Sequence, residues 1–401
     1  MRVGIIGGKL QGVEASYLAL KADWEVVLFD KHPAPPAKGL CTTFHHADVT
    51  REKEFIRHCK GIELIIPALE NQEALASLSR SAARLNIPLV HDPSSYAVSS
   101  SKIRSDRLFS DLGLLLPLPG PRAGYPLVAK PSGASGSAGV RRINTEAEFL
   151  AFRSSTADSR DWVIQEFLEG PSFSLEVLGS GQGYQTFQVT DLEMDNQYDC
   201  KRVLAPTVLR KSQIKEFEET ALTVARGLNL RGIMDVEVIL HDGRLKVLEI
   251  DARLPSQTPT VVYLSTGINL IELLKEICAV NASMRCLPDG YPGQEPTPHS
   301  PPRGVIYEHI HVSPGRLEVS GEHVVSEAGP LQLLQGFFDA DEAISNFEPG
   351  RPDWVATLIH VDETREKAWA KRNQVIEQIK RVCSIHTVLD PSPPGGTSHR
   401  A

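Results

Sequence analysis

The sequence predicts an α/β protein that begins with a small doubly wound parallel-sheet domain and becomes α+β in its middle. Three observations carry this. Short apolar runs alternate with helix-spaced stretches over residues 1 to 90, and such alternation with short connections requires parallel strands joined by crossover helices. From residue 172 to 255 strand-like runs crowd together, and an Asp242-Gly243 turn folds two of them into an antiparallel hairpin. Apolar residues make up 41% of the chain and charged residues 23%, enough apolar material to bury a core and too much for a disordered chain.

Val3-Gly4-Ile5-Ile6 reads as the first buried strand, Gly12 to Ala22 as a helix, and Glu25-Val26-Val27-Leu28-Phe29 as the second strand. Glu63-Leu64-Ile65-Ile66 is a further buried run, followed by a helix from about Glu70 to Leu85 and a short strand at Pro88-Leu89-Val90. A serine cluster opens one helical stretch from Ser94 to Leu112, which Pro117, Pro119 and Pro121 end. Pro126 to Lys130 is a strand running into a Gly/Ser loop, Glu146 to Phe152 a helix, and Asp161 to Phe167 another strand. One helix, near Ile214 to Leu228, interrupts the strands of 172 to 255. Six of the fifteen residues from Pro288 to Pro302 are proline, which predicts an extended connector. Strands over Arg303 to Val312 and Trp354 to Val361 and a polar helix from about Thr364 to Val382 complete the pattern, and the tail from Pro391 is expected to be disordered. The division that follows is 1–92, 93–175, 176–390 and a tail at 391–401.

Charge narrows the partners. Against 42 Lys plus Arg stand 50 Asp plus Glu, a formal charge of −8, which speaks against nucleic acid and leaves small ligands held by local cations. No apolar run approaches the roughly 18 residues of a membrane helix, and Met1 leads straight into the first strand, so neither a membrane anchor nor a secretory leader is expected. Six scattered cysteines without a C-x-x-C pair predict a reduced, cytoplasmic chain rather than a zinc or disulfide framework.

Chemistry concentrates in three places. Gly7-Gly8-Lys9-Leu10-Gln11-Gly12 lies at the first strand-to-helix turn, where glycines admit a ligand to the backbone and a helix N-terminus favours an anion. Asp30 ends the second strand, where a carboxylate can reach ribose hydroxyls, as in a dinucleotide-binding dehydrogenase. The spacing is not G-x-G-x-x-G, so a tight turn with a solvated Asp explains these residues equally well. Lys130 is delivered by a strand into Ser132-Gly133-Ala134-Ser135-Gly136-Ser137-Ala138-Gly139, a loop small enough to fold over phosphates and offer backbone N–H groups. Most telling is Asp235-Val236-Glu237-Val238 opposite Leu248-Glu249-Ile250-Asp251-Ala252-Arg253. With a side-chain period of two, the hairpin gathers four carboxylates, which demand a cation such as Mg²⁺ bound with nucleotide phosphates. Arg253 can steady developing negative charge. His309-Ile310-His311 could bind a metal, but no third ligand has a suitable spacing, and structural histidines fit better.

In this order the motifs resemble the ATP-grasp superfamily of carboxylate–amine ligases over about residues 1 to 275. The resemblance implies an ATP-grasp fold behind the doubly wound domain. It makes Lys102 and Lys130 the two nucleotide lysines, and Ser135 and Gly136 part of the loop that covers the phosphates. Gln165, Glu166, Leu168 and Glu169 then belong to the hinge that reads adenine and ribose, and Glu237, Glu249 and Asp251 are the metal ligands, with Arg253 at the catalytic end. Two departures stand out: Ser101 where an acidic residue usually precedes the first lysine, and Asp251 where Asn is commoner.

Three stretches, Gly7 to Gly12, Pro67-Ala68-Leu69-Glu70-Asn71 and Ala252 to Pro259, are closer to the ligase family of pyrrolysine biosynthesis. That resemblance implies ATP- and Mg²⁺-dependent ligation of 3-methyl-D-ornithine to the ε-amine of L-lysine through an acyl phosphate. It makes Glu70, Glu176 and Asp235 candidates for the amines, and Arg253, Ser256, Leu10 and Gln11 for the carboxylates. Lys9, Asp30, Asp48 and Val49, at strand ends facing the crevice such sheets use, are further candidates for the nucleotide. Another ATP-grasp ligase, of dipeptide or carboxylation type, and a nucleotide sensor without turnover remain the alternatives. The region after Pro302 can close over the amino-acid site or form a homodimer interface.

Overall fold

Buried on both faces, a parallel strand needs an apolar run rather than an alternating one, and the N-terminal strands have it. In the computed structural model, which describes residues 1–156, 161–180, 183–282 and 301–393, β1 (Arg2–Ile6), β2 (Glu25–Asp30), β3 (Thr43–His46) and β4 (Leu64–Pro67) form a parallel sheet of order β3-β2-β1-β4. The crossovers are α1 (Leu10–Lys21), α2 (Glu52–His58) and α3 (Gln72–Leu85), the last capped by the Asn71 side chain accepting from the Ala74 N–H. The expected strand at Pro88 to Val90 is a single bridge, Leu89 against Ile65.

The helix expected from Ser94 to Leu112 is two, α4 (Pro93–Ser99) and α5 (Lys102–Asp111). Ser101 breaks them: its backbone is extended (φ −139°, ψ 109°), and the Lys102 N–H donates to the Ser132 carbonyl instead of to α4. The break aims Lys102 at the Gly/Ser loop, which explains why a continuous helix would have misplaced it. β5 (Leu127–Pro131), β6 (Arg141–Ile143) and β7 (Trp162–Glu166) form a three-stranded antiparallel sheet over α6 (Glu146–Ser155).

The rest builds one large sheet. β8 (Ser172–Ser180), β9 (Tyr184–Thr186), β10 (Thr190–Met194) and β11 (Cys200–Ala205) precede α7 (Lys211–Leu228) and the hairpin of β12 (Arg231–His241) and β13 (Arg244–Asp251). Two helices that sequence patterning did not single out, α8 (Thr258–Thr266) and α9 (Leu270–Ala282), return the chain to the N-terminal unit. β14 (Gly304–Ser313) then pairs with β11, and β15 (Arg316–Val319), α10 (His323–Ser326), β16 (Gln332–Gln335), β17 (Glu342–Ser345), β18 (Trp354–Asp362), α11 (Arg365–Val382) and β19 (Thr387–Leu389) follow. The path is β13-β12-β8-β10-β11-β14-β18-β17-β16, so the chain after Pro302 continues the same sheet. Most of the proline-rich stretch and most of the tail lie outside the described residues.

One apolar cluster joins the units, running from Val3, Val13 and Leu18 through Val261 and Leu274 to Val203 and Tyr307. A second, with Phe109, Phe217, Val236 and Ile250, fills the space between α5, α7 and the inner face of the β12–β13 hairpin. Because that face is apolar, strand alternation forces the carboxylates of the hairpin to the other side.

Candidate active site

Register decides which carboxylates meet. Asp235 pairs with Asp251 on one side and with Glu176 on the other; two residues along, Glu237 pairs with Glu249 and with Ser174. Cross-strand neighbours share a face, so Glu176–Asp235–Asp251 and Ser174–Glu237–Glu249 form two adjacent rows. Cations answer them at the ends. Lys102 Nζ lies 3.0 Å from Glu249 Oε2 and donates to the Ala134 carbonyl at 2.7 Å. Arg253 Nη2 contacts Asp251 Oδ2 at 2.5 Å and Glu70 Oε1 at 2.8 Å.

The rows are not fully neutralised. Burial, with Glu249 beside it, pushes the Glu237 carboxyl up to about 8. Burial also raises Asp251, to about 6 even with Arg253 in contact, and lifts Asp235 well above the carboxylate range, helped by the charges of Asp251 and Glu237. Glu249 is opposed by burial too, but Lys102 and Lys130 outweigh it and hold it below its usual value. Lys130 is itself pushed down by burial. At the inner end Glu176, with no exposed surface, is raised to about 7 by burial, which the Thr258 hydroxyl and a backbone N–H ease only in part, neither oxygen being in a well-formed hydrogen bond. The arrangement favours added positive charge at both ends of the carboxylate rows.

Two cavities meet here. One, of about 160 Å³, has Lys102, Lys130, Glu237 and Glu249 at one end and Phe167, Leu168 and Met194 among the apolar walls of the other. The second, of about 260 Å³, is lined by Glu70, Ser135, Asp251, Lys102 and Glu249 among others. Lys102 and Glu249 belong to both. The Gly/Ser loop roofs the junction: Ser135 Oγ donates to Glu70 Oε2 at 2.7 Å, and Ser137 Oγ to the Tyr198 carbonyl at 2.5 Å.

An ATP-grasp domain matches residues 99–257, which hold Lys102, both carboxylate rows and Arg253. Over nearly the full chain the sequence is similar to the 3-methyl-D-ornithine--L-lysine ligases of Methanosarcina acetivorans, at 35% identity over 92% of this chain and 94% of that one, and of Methanosarcina mazei, at 34% over 94% and 95%. This chain belongs to that family of ATP-grasp ligases. Its fold is shared with the biotin carboxylase domain of Hydrogenobacter thermophilus 2-oxoglutarate carboxylase, solved as a dimer with MgADP (TM-score 0.69, 14% identity, covering 94% of this chain and 89% of that one). It is also shared with Thermotoga maritima N5-carboxyaminoimidazole ribonucleotide synthetase (TM-score 0.61, 19% identity, 94% and 98%). ATP-grasp ligases join a carboxylate to an amine and bind ATP or ADP, so nucleotide binding follows from the family. No helix among the described residues is long and apolar enough to cross a membrane.

In this ATP-grasp ligase the structure brings Lys102, Lys130, Glu237, Glu249, Asp251, Arg253, Glu70 and Ser135 together at the junction, with Asp235 and Glu176 deeper in the same rows. Gly136 sits in the roof. Of the hinge, Glu166 and Leu168 line the first cavity; Gln165 is buried in β7, and Glu169 stands at the rim with Arg142 at 3.5 Å. Gln11 reaches the site through Glu70, at 3.2 Å, and Leu10 packs beside the N-terminal core. Ser256 points at Glu322 rather than at a cavity.

Lys9, Asp30, Asp48 and Val49 line neither cavity. Asp30 accepts from the Gly8 N–H at 2.6 Å and the His32 N–H at 2.7 Å; Asp48 accepts from Thr50, and the Val49 carbonyl from Ser77. Gly7 is required by packing: its φ is +101°, and a Cβ there would stand 2.3 Å from the Ala68 carbonyl oxygen. His309 and His311 do not converge either. His309 is buried between Gln257 and Thr357, and His311 faces Asp353 at the surface.

Sequence reasoning missed Lys246, 2.6 Å from Glu166 Oε2, and Asp106, whose carboxyl burial raises to about 6 beside Lys130 and Lys102. The i,i+4 spacing of Lys102 and Asp106 on one helix was the available signal for Asp106. Nothing local signals Glu322, which arrives from the far side of the proline-rich stretch.

Proposed function

We propose that this ligase activates the carboxylate of 3-methyl-D-ornithine with ATP and joins it to the ε-amine of L-lysine, releasing ADP and phosphate. The observation that carries the reading is the junction of two cavities at Lys102 and Glu249, one cavity with apolar walls suited to a base and the other edged by Glu70 and Asp251. The choice of amino acids is supported by the near full-length likeness to ligases of that name.

The residues suit each step. Attack of the acid's carboxylate oxygen on the γ-phosphorus breaks the bond to ADP, and Lys102 and Lys130 neutralise the phosphate oxygens. Attack of the amine on the acyl carbon breaks the bond to phosphate while the amine loses a proton. Arg253, held by Asp251 and Glu70, is placed to steady the oxyanion of that tetrahedral adduct. Glu176 and Asp235, whose carboxyls burial raises, are acceptors that a substrate ammonium group would draw into their charged form. Glu237, Glu249 and Asp251 are hard oxygen donors whose mutual repulsion Lys102, Lys130 and Arg253 relieve only in part, a set that fits Mg²⁺. When bound, the ion would neutralise phosphate charge. The Ser135–Glu70 contact draws the loop across the junction and keeps water from the acyl phosphate.

The test is incubation with ATP, Mg²⁺, L-lysine and 3-methyl-D-ornithine, with the product read by mass spectrometry. A product equal to both amino acids less one water, formed together with ADP, is expected. ADP formed without that product would overturn the choice of substrates, and no ADP at all would overturn turnover itself.

A further inference from the structure

Glu322 lies outside the stretch that carries the ATP-grasp motifs, yet its carboxylate stands beside that stretch, between Gly136 of the loop and the turn after Arg253. It opens the short helix α10, directly after a glycine clamped by two aspartates. The Gly321 N–H donates to Asp195 Oδ2 at 3.0 Å and the His323 N–H to Asp199 Oδ2 at 3.0 Å. The approach is so close that a Cβ on Gly321 would sit 2.3 Å from Asp199 Oδ2, so only glycine fits there. Asp195, Asp199 and His323 come within ligating distance of one another, and within that group Asp195 Oδ2 and Asp199 Oδ2 accept these bonds while His323 Nδ1 lies 2.6 Å from Asp199 Oδ2. Together they clamp the turn at Gly321. The same turn supports the roof of the active site through the Tyr198 carbonyl and Ser137.

The clamp aims the Glu322 carboxylate at the loop following Arg253. Its Oε2 accepts from Gln257 Nε2 at 2.6 Å and Ser256 Oγ at 3.2 Å. Gln257 needs that hold, for its φ is +73°, a conformation an L side chain adopts at a cost. Its amide oxygen is fixed from the other side by His309 Nε2 at 3.1 Å, and His309 Nδ1 is 2.8 Å from the Thr357 hydroxyl. Glu322 Oε1 has no hydrogen-bond partner among the described residues. It faces the phosphate-covering loop, 3.7 Å from where a Cβ on Gly136 would stand; burial and the charge of Asp199 raise its carboxyl to about 7, and Gln257, Arg253 and Ser256 offset them only in part.

We propose that Glu322 is a substrate-binding residue: Oε2 fixes the Ser256-Gln257 turn, and Oε1 takes an ammonium group of one of the two amino-acid substrates. The inference rests on the amino-acid ligase reading above. It gives the region after Pro302 a direct part in the site, because an ammonium group entering between Gly136 and Arg253 meets a carboxylate that only this region supplies.

Glu322→Gln separates the two roles. Its amide oxygen can still accept from Ser256 and Gln257, while its NH₂ meets the ammonium. KM is measured separately for ATP, L-lysine and 3-methyl-D-ornithine. The expected result is a rise of about 10- to 100-fold in KM for one amino acid, the range for a lost charged hydrogen bond, with KM for ATP within about twofold. Glu322→Asp, which keeps the charge, recovers part of that affinity, which a merely structural role would not produce. If lysine is the affected substrate, 6-aminohexanoate, which lacks the α-ammonium group, tells which of its amines is held. Unchanged KM for both amino acids, or KM for ATP rising in step, overturns the proposal. A wild type that binds L-lysine or D-ornithine calorimetrically but forms no amide overturns the ligation reading alone, and Glu322 is then judged by the same affinity ratio. A wild type that binds neither overturns both.

Discussion

Replacing Glu176 by Gln should make the protein more stable at neutral pH than at acid pH, relative to wild type. The side chain has no exposed surface, and burial raises its carboxyl from 4.5 to about 7. Folded protein therefore holds this proton over a range in which the unfolded chain has released it. For an acid raised in this way, stability is highest below the unfolded value, falls as pH climbs from 4.5 to 7, and levels off above. Integrating the two titrations gives a penalty of about 1 kcal/mol at pH 5 and about 3 kcal/mol at pH 7.5. Gln does not titrate, so the stability difference between variant and wild type should move by about 2 kcal/mol in favour of the variant between those pH values. Urea unfolding midpoints at pH 5.0 and 7.5 measure it. Because the comparison is between two pH values, the cost of burying the Gln amide cancels. A shift below about 0.5 kcal/mol would refute the view that Glu176 is held uncompensated. The stabilised variant should also lose affinity for an amine substrate, since the strain that burial stores is what an ammonium group relieves.

Arg253→Ala should lower kcat by about 10²- to 10³-fold, the usual effect of losing one oxyanion donor, with little change in KM for ATP. Arg253→Lys should recover little, since a point-charge ammonium lacks the fixed planar fork of donors that a guanidinium can keep on its carboxylates and still turn to an oxyanion; initial rates of ADP release decide both. Lys246→Met leaves Glu166 without its 2.6 Å partner at the wall of the first cavity and should raise KM for ATP about tenfold. Far from the site, Arg372→Met removes one of two arginines from fully buried Glu308 and should cost about 3 kcal/mol, read from the unfolding midpoint. Burial opposes ionisation of Glu308, but Arg372 and Arg202 outweigh it and bring the carboxyl down to about 2. Its contribution is therefore complete above pH 4.5 and lost as pH falls toward 2, and in the Arg372 variant that loss should begin at higher pH.

Short-range chemistry was legible in the sequence and long-range placement was not. The β12–β13 hairpin could be read because an Asp-Gly turn fixes register, and register fixes which carboxylates stand opposite. Lys130 with its small-residue loop could be read for the same reason, since strand and loop adjoin in the chain. Periodicity could not separate α4 from α5, because the break at Ser101 is made by a tertiary contact from Ser132. Nor could it tell how closely the glycines of the first turn pack against Ala68, Pro35 and Asp30. Glu70 was legible only through resemblance to relatives; its role beside Arg253 and Ser135 appears once α3 docks. Glu322 had no local mark, because it depends on aspartates more than 120 positions earlier.

The pairing of β11 with β14 has a practical corollary. A chain cut between α9 and β14 would leave β11 with an open edge. It would also leave Arg202, buried against Glu308 at 2.7 Å, without that acceptor. Neither half would be a sound expression product alone. Made together, the two polypeptides should zip along that edge and recover activity, each carrying carboxylates the other cannot replace. Breaking the protein there would give a split enzyme whose output reports whether its halves have met.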